Sequence, residues 1–524
     1  MLVFGGTMLA MMLAALDQTI VATALPTIAL DLHGIQHYAW VADAYLLTST
    51  VTVPLYGKLS DMFGRRMLFL VSISIFLVGS ALCGLSQSMT QLIAFRALQG
   101  FGAGGILPLA QATIGDLFSA RDRGRYAGYT GAVFASASII GPLVGGWLTD
   151  SVSWRWIFYI NLPLGAAALF VIGTRMHLPF HKREHRVDYL GAAVLTFSVV
   201  CLLMVAIWGG VTYPWMSGQI IGLAIAGVIG LVTFIAVERR AAEPIIPLGL
   251  FRDSIFNVTA GTAFLFGVAM FGAIFFIPLF MQQVVGVSAT NSGIVILPLM
   301  LGWVATSVVA GQIVSRTGRY KLLPIVGSFV VVFGFFLLTR LGVHSTQTTA
   351  IVDMVVLGLG MGMVFQIYLV AMQNSIQPKD MGSATATVQF FRSMGATFGV
   401  AAFGTIFFTR LTSQLMERIG PAVQHLDLNR LVNSPAGSTH VPPAIANDLR
   451  LSLSSALHDV FVGTMFVAVI ALVFAFLLKE KPLRTTSNVS AALASEVGPV
   501  AEEGTQQAAQ ATHERAPATR SSSG

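Results

Sequence analysis

Gly57-Lys-Leu-Ser-Asp-Met-Phe-Gly-Arg-Arg66 and Gly311-Gln-Ile-Val-Ser-Arg-Thr-Gly-Arg-Tyr-Lys321 are two versions of one turn. Each carries a glycine at the end of an apolar run, a second glycine seven residues on, and basic residues straight after it. Glycine permits a tight turn where a Cβ would not fit, and cations just beyond an apolar run suit anionic lipid headgroups. One copy in each half of the chain reads as an internal repeat of two related helical bundles.

The surroundings of these turns fix the solvent. Of 524 residues, 55% are hydrophobic and only 10% charged, and the mean hydropathy is +0.77. A water-soluble domain carries about 25% charged residues, so a soluble fold is excluded. A helix needs roughly 20 apolar residues to cross a bilayer. Charge clusters and Gly/Pro breaks divide the chain into about fourteen such stretches, near 4–30, 38–57, 67–87, 90–114, 126–149, 156–174, 188–209, 218–237, 256–283, 291–314, 322–339, 349–374, 383–408 and 459–478. The expected fold is therefore an all-α integral membrane protein of about fourteen transmembrane helices. The first stretch has no Lys or Arg before it and runs on past Asp17, unlike a cleaved signal peptide, so it counts as a true span.

The formal net charge of +7 does not point to nucleic acid, because the cations sit in short loops between apolar spans. Membrane lipids are the expected partners. Loops after the even-numbered spans, with the segment following the last span, hold twenty Lys and Arg; the opposite loops hold six. Four of those six (Arg410, Arg418, Arg430 and Arg450) lie in one long loop, 409–458, where the bias carries little weight. Positive loops stay inside, so both termini are expected in the cytoplasm and the protein in the plasma membrane. A short amphipathic helix is expected around 444–457, and residues 483–524, rich in Ser, Thr, Ala, Glu and Gln, read as a disordered tail. Cys83 and Cys201 both lie inside apolar spans and support neither a disulfide framework nor a metal site. His177, His181 and His185 mimic a metal spacing, but Pro179 breaks the helix and Lys182, Arg183 and Arg186 crowd it. No metal and no cofactor is expected. The chain also lacks a GxxxxGK[ST] phosphate loop and an HExxH zinc motif, which argues against ATP-driven transport by this chain alone and against enzyme activity.

The turn at Gly57, with Asp61, Gly64, Arg65 and Arg66, resembles the loop signature of the major facilitator superfamily. Three further segments are similar to its fourteen-span drug:proton antiporter group: Leu16-Asp17-Gln-Thr-Ile-Val-Ala-Thr-Ala-Leu-Pro26, Arg96-Ala-Leu-Gln-Gly100, and Gly141-Pro142-Leu-Val-Gly145-Gly146 followed by Trp154-Arg-Trp-Ile-Phe-Tyr-Ile-Asn-Leu-Pro163. Ala137 stands where the longer antiporter pattern has glycine, a small-for-small departure. The resemblance implies an N-terminal six-helix bundle (1–180), an extra helix pair with its linkers (181–250), a C-terminal six-helix bundle (251–482) that contains the loop 409–458, and the tail. It also implies that the first, fourth, ninth and twelfth spans line a central cavity, and that the protein exports small molecules in exchange for protons.

An ionisable side chain at the centre of a span costs at least about 2.5–3.5 kcal/mol, so each one needs a reason. Asp17, Asp43, Arg96 and Asp353 are the candidates for proton coupling and transport. Asp17 lies near the middle of the first span, and Arg96, about seven residues into the fourth, reaches a comparable depth. Desolvation and a neighbouring cation act in opposite directions on any carboxylate, so arrival of substrate or water would change its hold on a proton. A static ion pair with Arg96 is the competing reading for Asp17. Asp43 and Asp353 lie nearer the outer mouth, Asp353 as an interfacial residue at a helix end, and Arg392 is within the membrane with an open role. Gly141, Pro142, Gly145 and Gly146 need no chemistry: proline removes a backbone donor, and glycines permit close helix contact. The aromatic crowd around Phe264, Phe266, Phe271, Phe275 and Phe276 reads mainly as packing, with some residues suited to an adaptable pocket. Accessory export proteins are not identifiable. A same-fold transporter of a lipid, siderophore, amino acid or sugar is the alternative, and a membrane enzyme or sensor is a more distant one.

Overall fold

Residues 2–33, 37–176, 187–210, 212–287, 296–420 and 443–483 are described by a computed structural model of the protein. The histidines at 177, 181 and 185 and the tail from 484 onward lie outside the described residues. The helices are α1 (Leu2–Asp31), α2 (Tyr38–Phe63), α3 (Arg65–Leu85), α4 (Met89–Leu117), α5 (Ala120–Ser151), the single turn α6 (Trp156–Tyr159) and α7 (Asn161–Arg175). They continue as α8 (Tyr189–Trp208), α9 (Gly218–Glu238), α10 (Ser254–Phe280), α11 (Leu297–Thr317), α12 (Leu322–Thr339), α13 (Gln347–Ser375), α14 (Met381–Ile419) and α15 (Pro443–Leu477). Thirteen described helical segments are long and apolar enough to cross a membrane. The hydroxyls of Thr48, Ser49, Thr50 and Thr52, with Lys58 and Asp61, leave α2 too polar for that measure. Its 26 residues would still span about 39 Å at 1.5 Å each, and it packs against α4 and α14.

Local sequence starts these helices cleanly. Ser88, Ser119, Asp188, Ser217, Asp253 and Thr346 each cap a helix by accepting a backbone N–H of its first turn. The repeated turn acts as its glycines suggest, with a correction of register. Gly57 and Gly311 lie inside α2 and α11, which run on to Phe63 and Thr317, and the helices end at Gly64 (φ 89°) and Gly318 (φ 71°). Those left-handed conformations are where a side chain would be strained.

In the first half, α1 packs on α5 and α7, while α4 packs on α2 and α3. In the second, α13 packs on α11 and α12, and α10 packs on α14 and α15. The seam between the halves is made by α5 against α11 and by α2 against α14. The α8–α9 hairpin lies beside that seam, where Leu195, Val199, Leu203 and Phe234 cluster with Val51 and Phe390. Glu238, at the end of α9, accepts the backbone N–H of Ile245 at 3.0 Å, and Lys58 meets Glu243 at 3.7 Å, tying the hairpin's exit to α2.

The expected short helix around 444–457 is not a separate element. It is the first part of α15, which is 35 residues long, and α14 likewise extends to 39. At 1.5 Å per residue both exceed the ~30 Å hydrocarbon thickness, so each continues past it.

Candidate transport site

Asp17 is fully buried, and its carboxylate is held from two other helices. Arg96 of α4 donates to Oδ2 at 2.7 Å. Gln99, one turn on, donates to Oδ1 at 2.7 Å, and Asn161, the first residue of α7, donates to the same oxygen at 2.9 Å. Arg96 is spoken for on its other edges as well. It donates to Gln99 Oε1 at 2.7 Å and to the Val41 carbonyl of α2 at 3.3 Å, and its guanidinium lies 4.2 Å over the Tyr45 ring. Asn161 also reaches Ser80 Oγ at 3.0 Å, which draws α3 into the same network.

Asp17 and Arg96 therefore touch directly, as a buried ion pair. A buried pair of this kind persists only when its remaining lone pairs and protons are also satisfied, and Gln99 and Asn161 do that. Gln99, Asn161, Ser80 and Tyr45 were not singled out from sequence. A signal was present for two of them, since Gln99 lies inside Arg96–Gly100 and Asn161 inside Trp154–Pro163. The other two approach only through helix packing. Among the described residues Asp43 and Asp353 join neither this network nor any ion pair. Asp43 is half-buried near the start of α2. Asp353, the seventh residue of α13, is 4% exposed and packed among its neighbours.

A second polar cluster closes the seam at the end that carries Gly64. Asp61 accepts the backbone N–H groups of Gly382 at 2.9 Å and Ser383 at 2.7 Å, together with Ser383 Oγ at 2.8 Å. These are first-turn N–H groups of α14, free to bind an acid because no earlier turn supplies them with carbonyls. Arg65 joins Asp61 at 2.7 Å to Asp116 of α4 at 3.0 Å, while Arg66 donates to the Gly173 carbonyl of α7. Gly57 is what lets α2 come this close, because a Cβ there would overlap that of Ala386. Gln373 of α13 adds a further tie across the seam by donating to the Gln111 carbonyl of α4 at 3.2 Å.

The Gly141–Gly146 segment divides. At Gly141 a Cβ would collide with Thr19 Oγ1, which itself donates to the Ala137 carbonyl at 3.0 Å, so α1 and α5 are in close contact there. Gly146 has open space where its Cβ would stand, which corrects the expectation of tight contact at that glycine. Gly145 is buried and Pro142 is exposed. The cavity near the seam is lined from α4, α10, α13 and α14, including Gln111, Thr262, Phe365, Tyr368 and Gln389.

Long helices packed in two sets about a seam, with a buried charge pair in one set and a polar clamp across the seam, define a polytopic membrane transporter. The chain belongs to the Major Facilitator Superfamily, whose model matches residues 7–400. Over 511 residues it is 39% identical to the multidrug transporter protein MdtP of Bacillus subtilis (strain 168), covering 93% of this chain and 94% of that one. Multidrug resistance protein 3 of the same organism is 37% identical over 493 residues, 93% of this chain and 96% of the relative. Among solved structures, the proton:xylose symporter XylE superposes with a TM-score of 0.61 at 12% identity, covering 94% of this chain and 98% of that one, a likeness of fold alone.

Proposed function

We propose that this protein exports small amphipathic molecules across the plasma membrane in exchange for protons, using the proton gradient as its energy source and no cofactor. The observation that carries this reading is the Asp17 network, a fully buried acid whose three partners come from two other helices of its own half. Adding a proton to Asp17 removes the charge that holds Arg96, so the helices meeting there gain a second stable arrangement. A transporter that couples a proton to a conformational change needs such an element. The two B. subtilis relatives, named as a multidrug transporter and a multidrug resistance protein, support efflux as the direction.

The Asp61 clamp supplies the gate. With the basic loops inside, the clamped end is cytoplasmic, both termini face the cytoplasm, and the contacts of Asp61 with Gly382 and Ser383 hold that side shut. Parting of the two halves breaks them. The two six-helix bundles are then the moving bodies, and the α8–α9 hairpin rides beside the α2–α14 seam.

The test is purified protein in proteoliposomes, with an imposed pH gradient and a panel of cationic, neutral and anionic amphipathic dyes. Gradient-driven accumulation of at least one dye, abolished by a protonophore, is expected. Accumulation that ignores the pH gradient would sink proton exchange.

A further inference from the structure

Arg392 stands apart from the other cations of the helical interior. Arg96 faces Asp17, and Arg65 faces Asp61 and Asp116. Arg392 lies eleven residues into α14, about 16 Å from its start. Among the described residues it makes no ion pair, and its Nε is buried with no hydrogen-bond partner. Its guanidinium carbon sits 4.9 Å over the Phe365 ring of α13. The backbone there is fixed: Gly267 of α10 abuts the Arg392 carbonyl, and Gly395 abuts that of Phe264.

Phe365 also lines the cavity at the seam, and Gln389, one turn before Arg392 on the same face, lines it too. Two further cavity residues, Thr262 and Tyr368, bring their buried hydroxyls together and find no partner beyond each other. A buried polar group without a partner costs about 1–3 kcal/mol, and an uncompensated charge more. One unmet guanidinium donor and a hydroxyl pair with no partner outside itself therefore lie along one seam. The cavity measures about 20 Å³, room for roughly one water as it stands. Gln111, from the other half, forms its remaining wall, so the space widens when the halves part.

What would satisfy this arrangement is an anionic acceptor. A guanidinium presents its donors in a planar fork that matches a carboxylate, and the Phe365 face beside it favours an apolar or aromatic body. A cationic molecule would instead be repelled. We propose that Arg392, with Tyr368 and Thr262, forms a subsite that binds the carboxylate of an anionic amphipathic cargo. The assignment rests on the export reading for what becomes of that cargo, but its binding is measurable without transport.

Trp303, whose ring lies 6.0 Å from that of Phe365, is a built-in reporter. Dansylglycine and its methyl ester share an aromatic body and differ in the acid group. Energy transfer from tryptophan to dansyl in the purified protein should show the acid binding at least tenfold more tightly than the ester. Arg392→Gln should erase that preference and leave ester binding unchanged. If this variant does not fold, Arg392→Lys decides, since it keeps the charge but loses the fork. A several-fold smaller preference is then expected, with the ester unaffected. A wild-type protein that binds neither probe, or both equally, overturns the assignment, as does a variant that keeps the full preference. Such a failure beside intact proton-driven dye transport sinks the acid subsite alone. Absence of pH-driven transport sinks the export reading while leaving the binding result standing.

Discussion

Asp17 and Arg96 should behave as one unit in a double-mutant cycle. Asp17→Asn keeps the shape and leaves Oδ1 able to accept from Gln99 and Asn161, but it sets an amide N–H₂ against the Arg96 donor that now stands 2.7 Å from Oδ2. Arg96 is 2% exposed, so solvent cannot compensate the stranded charge. Removing one partner of a buried pair costs about 3–5 kcal/mol. Arg96→Met strands the carboxylate instead, although two amide donors still hold it, so its cost should fall at the lower end of that range. The double variant strands neither charge. Its loss should be smaller than the sum of the singles by about 3 kcal/mol, far above the roughly 0.5 kcal/mol within which independent sites add. Unfolding of the purified variants by a graded denaturing detergent, followed by tryptophan fluorescence, measures all four corners of the cycle. Strict additivity would refute the reasoning, because it would mean that each charge is satisfied by something other than its partner.

Three other outcomes follow from the same geometry. Asp61→Asn removes the charge from a carboxylate that accepts two backbone N–H groups and a hydroxyl. Hydrogen bonds to charged groups are worth about 1.5–3 kcal/mol, so the clamped state should lose roughly 10- to 150-fold in population. Steady-state transport should slow at unchanged protein level, and an unaltered rate would remove Asp61 from the gate. Gly57→Leu drives a side chain into Ala386 and should part α2 from α14, abolishing transport while the protein still inserts; wild-type flux would show that the close approach is dispensable. For topology, Met216 between α8 and α9 and Arg319 between α11 and α12 are both exposed, and the native Cys83 and Cys201 are buried. In intact cells a membrane-impermeant thiol reagent should label Met216→Cys and spare Arg319→Cys; the reverse would invert the orientation.

The helical membrane fold was legible because lipid imposes a one-dimensional rule: each spanning segment must be long, apolar and internally hydrogen-bonded. The rule works least well for α2, where hydroxyls such as Thr48 and Thr52 bond to carbonyls of their own helix and so hide their polarity from lipid. Helix ends were harder to place. Gly57 and Gly311 looked like terminators, yet the residue that ends each helix is the glycine seven positions later, at positive φ. For the site, the costly residues were visible, since an acid or a cation in a span demands an explanation. Their partners were less so. Asp17 and Arg96 are 79 residues apart in sequence and Asp17 and Asn161 are 144, and no local pattern encodes such distances. Asp61 and Gly382 are likewise remote in sequence, and they meet because an acid in one turn and a helix start elsewhere are electrostatically complementary. The satisfied state of Arg96 and the unsatisfied state of Arg392 appear only once helices are packed.

The most direct test of the account is proton movement itself. Wild-type and Asp17→Asn proteins would be reconstituted in vesicles containing a pH-sensitive dye and then given whichever compound the wild type accumulates. The wild type is predicted to move protons against the compound's flux and to concentrate it. The variant is predicted to bind the compound and equilibrate it, with no proton flux above that of empty vesicles. Compound-driven proton flux through Asp17→Asn at the wild-type rate would contradict the central claim and pass the coupling role to Asp43 or Asp353.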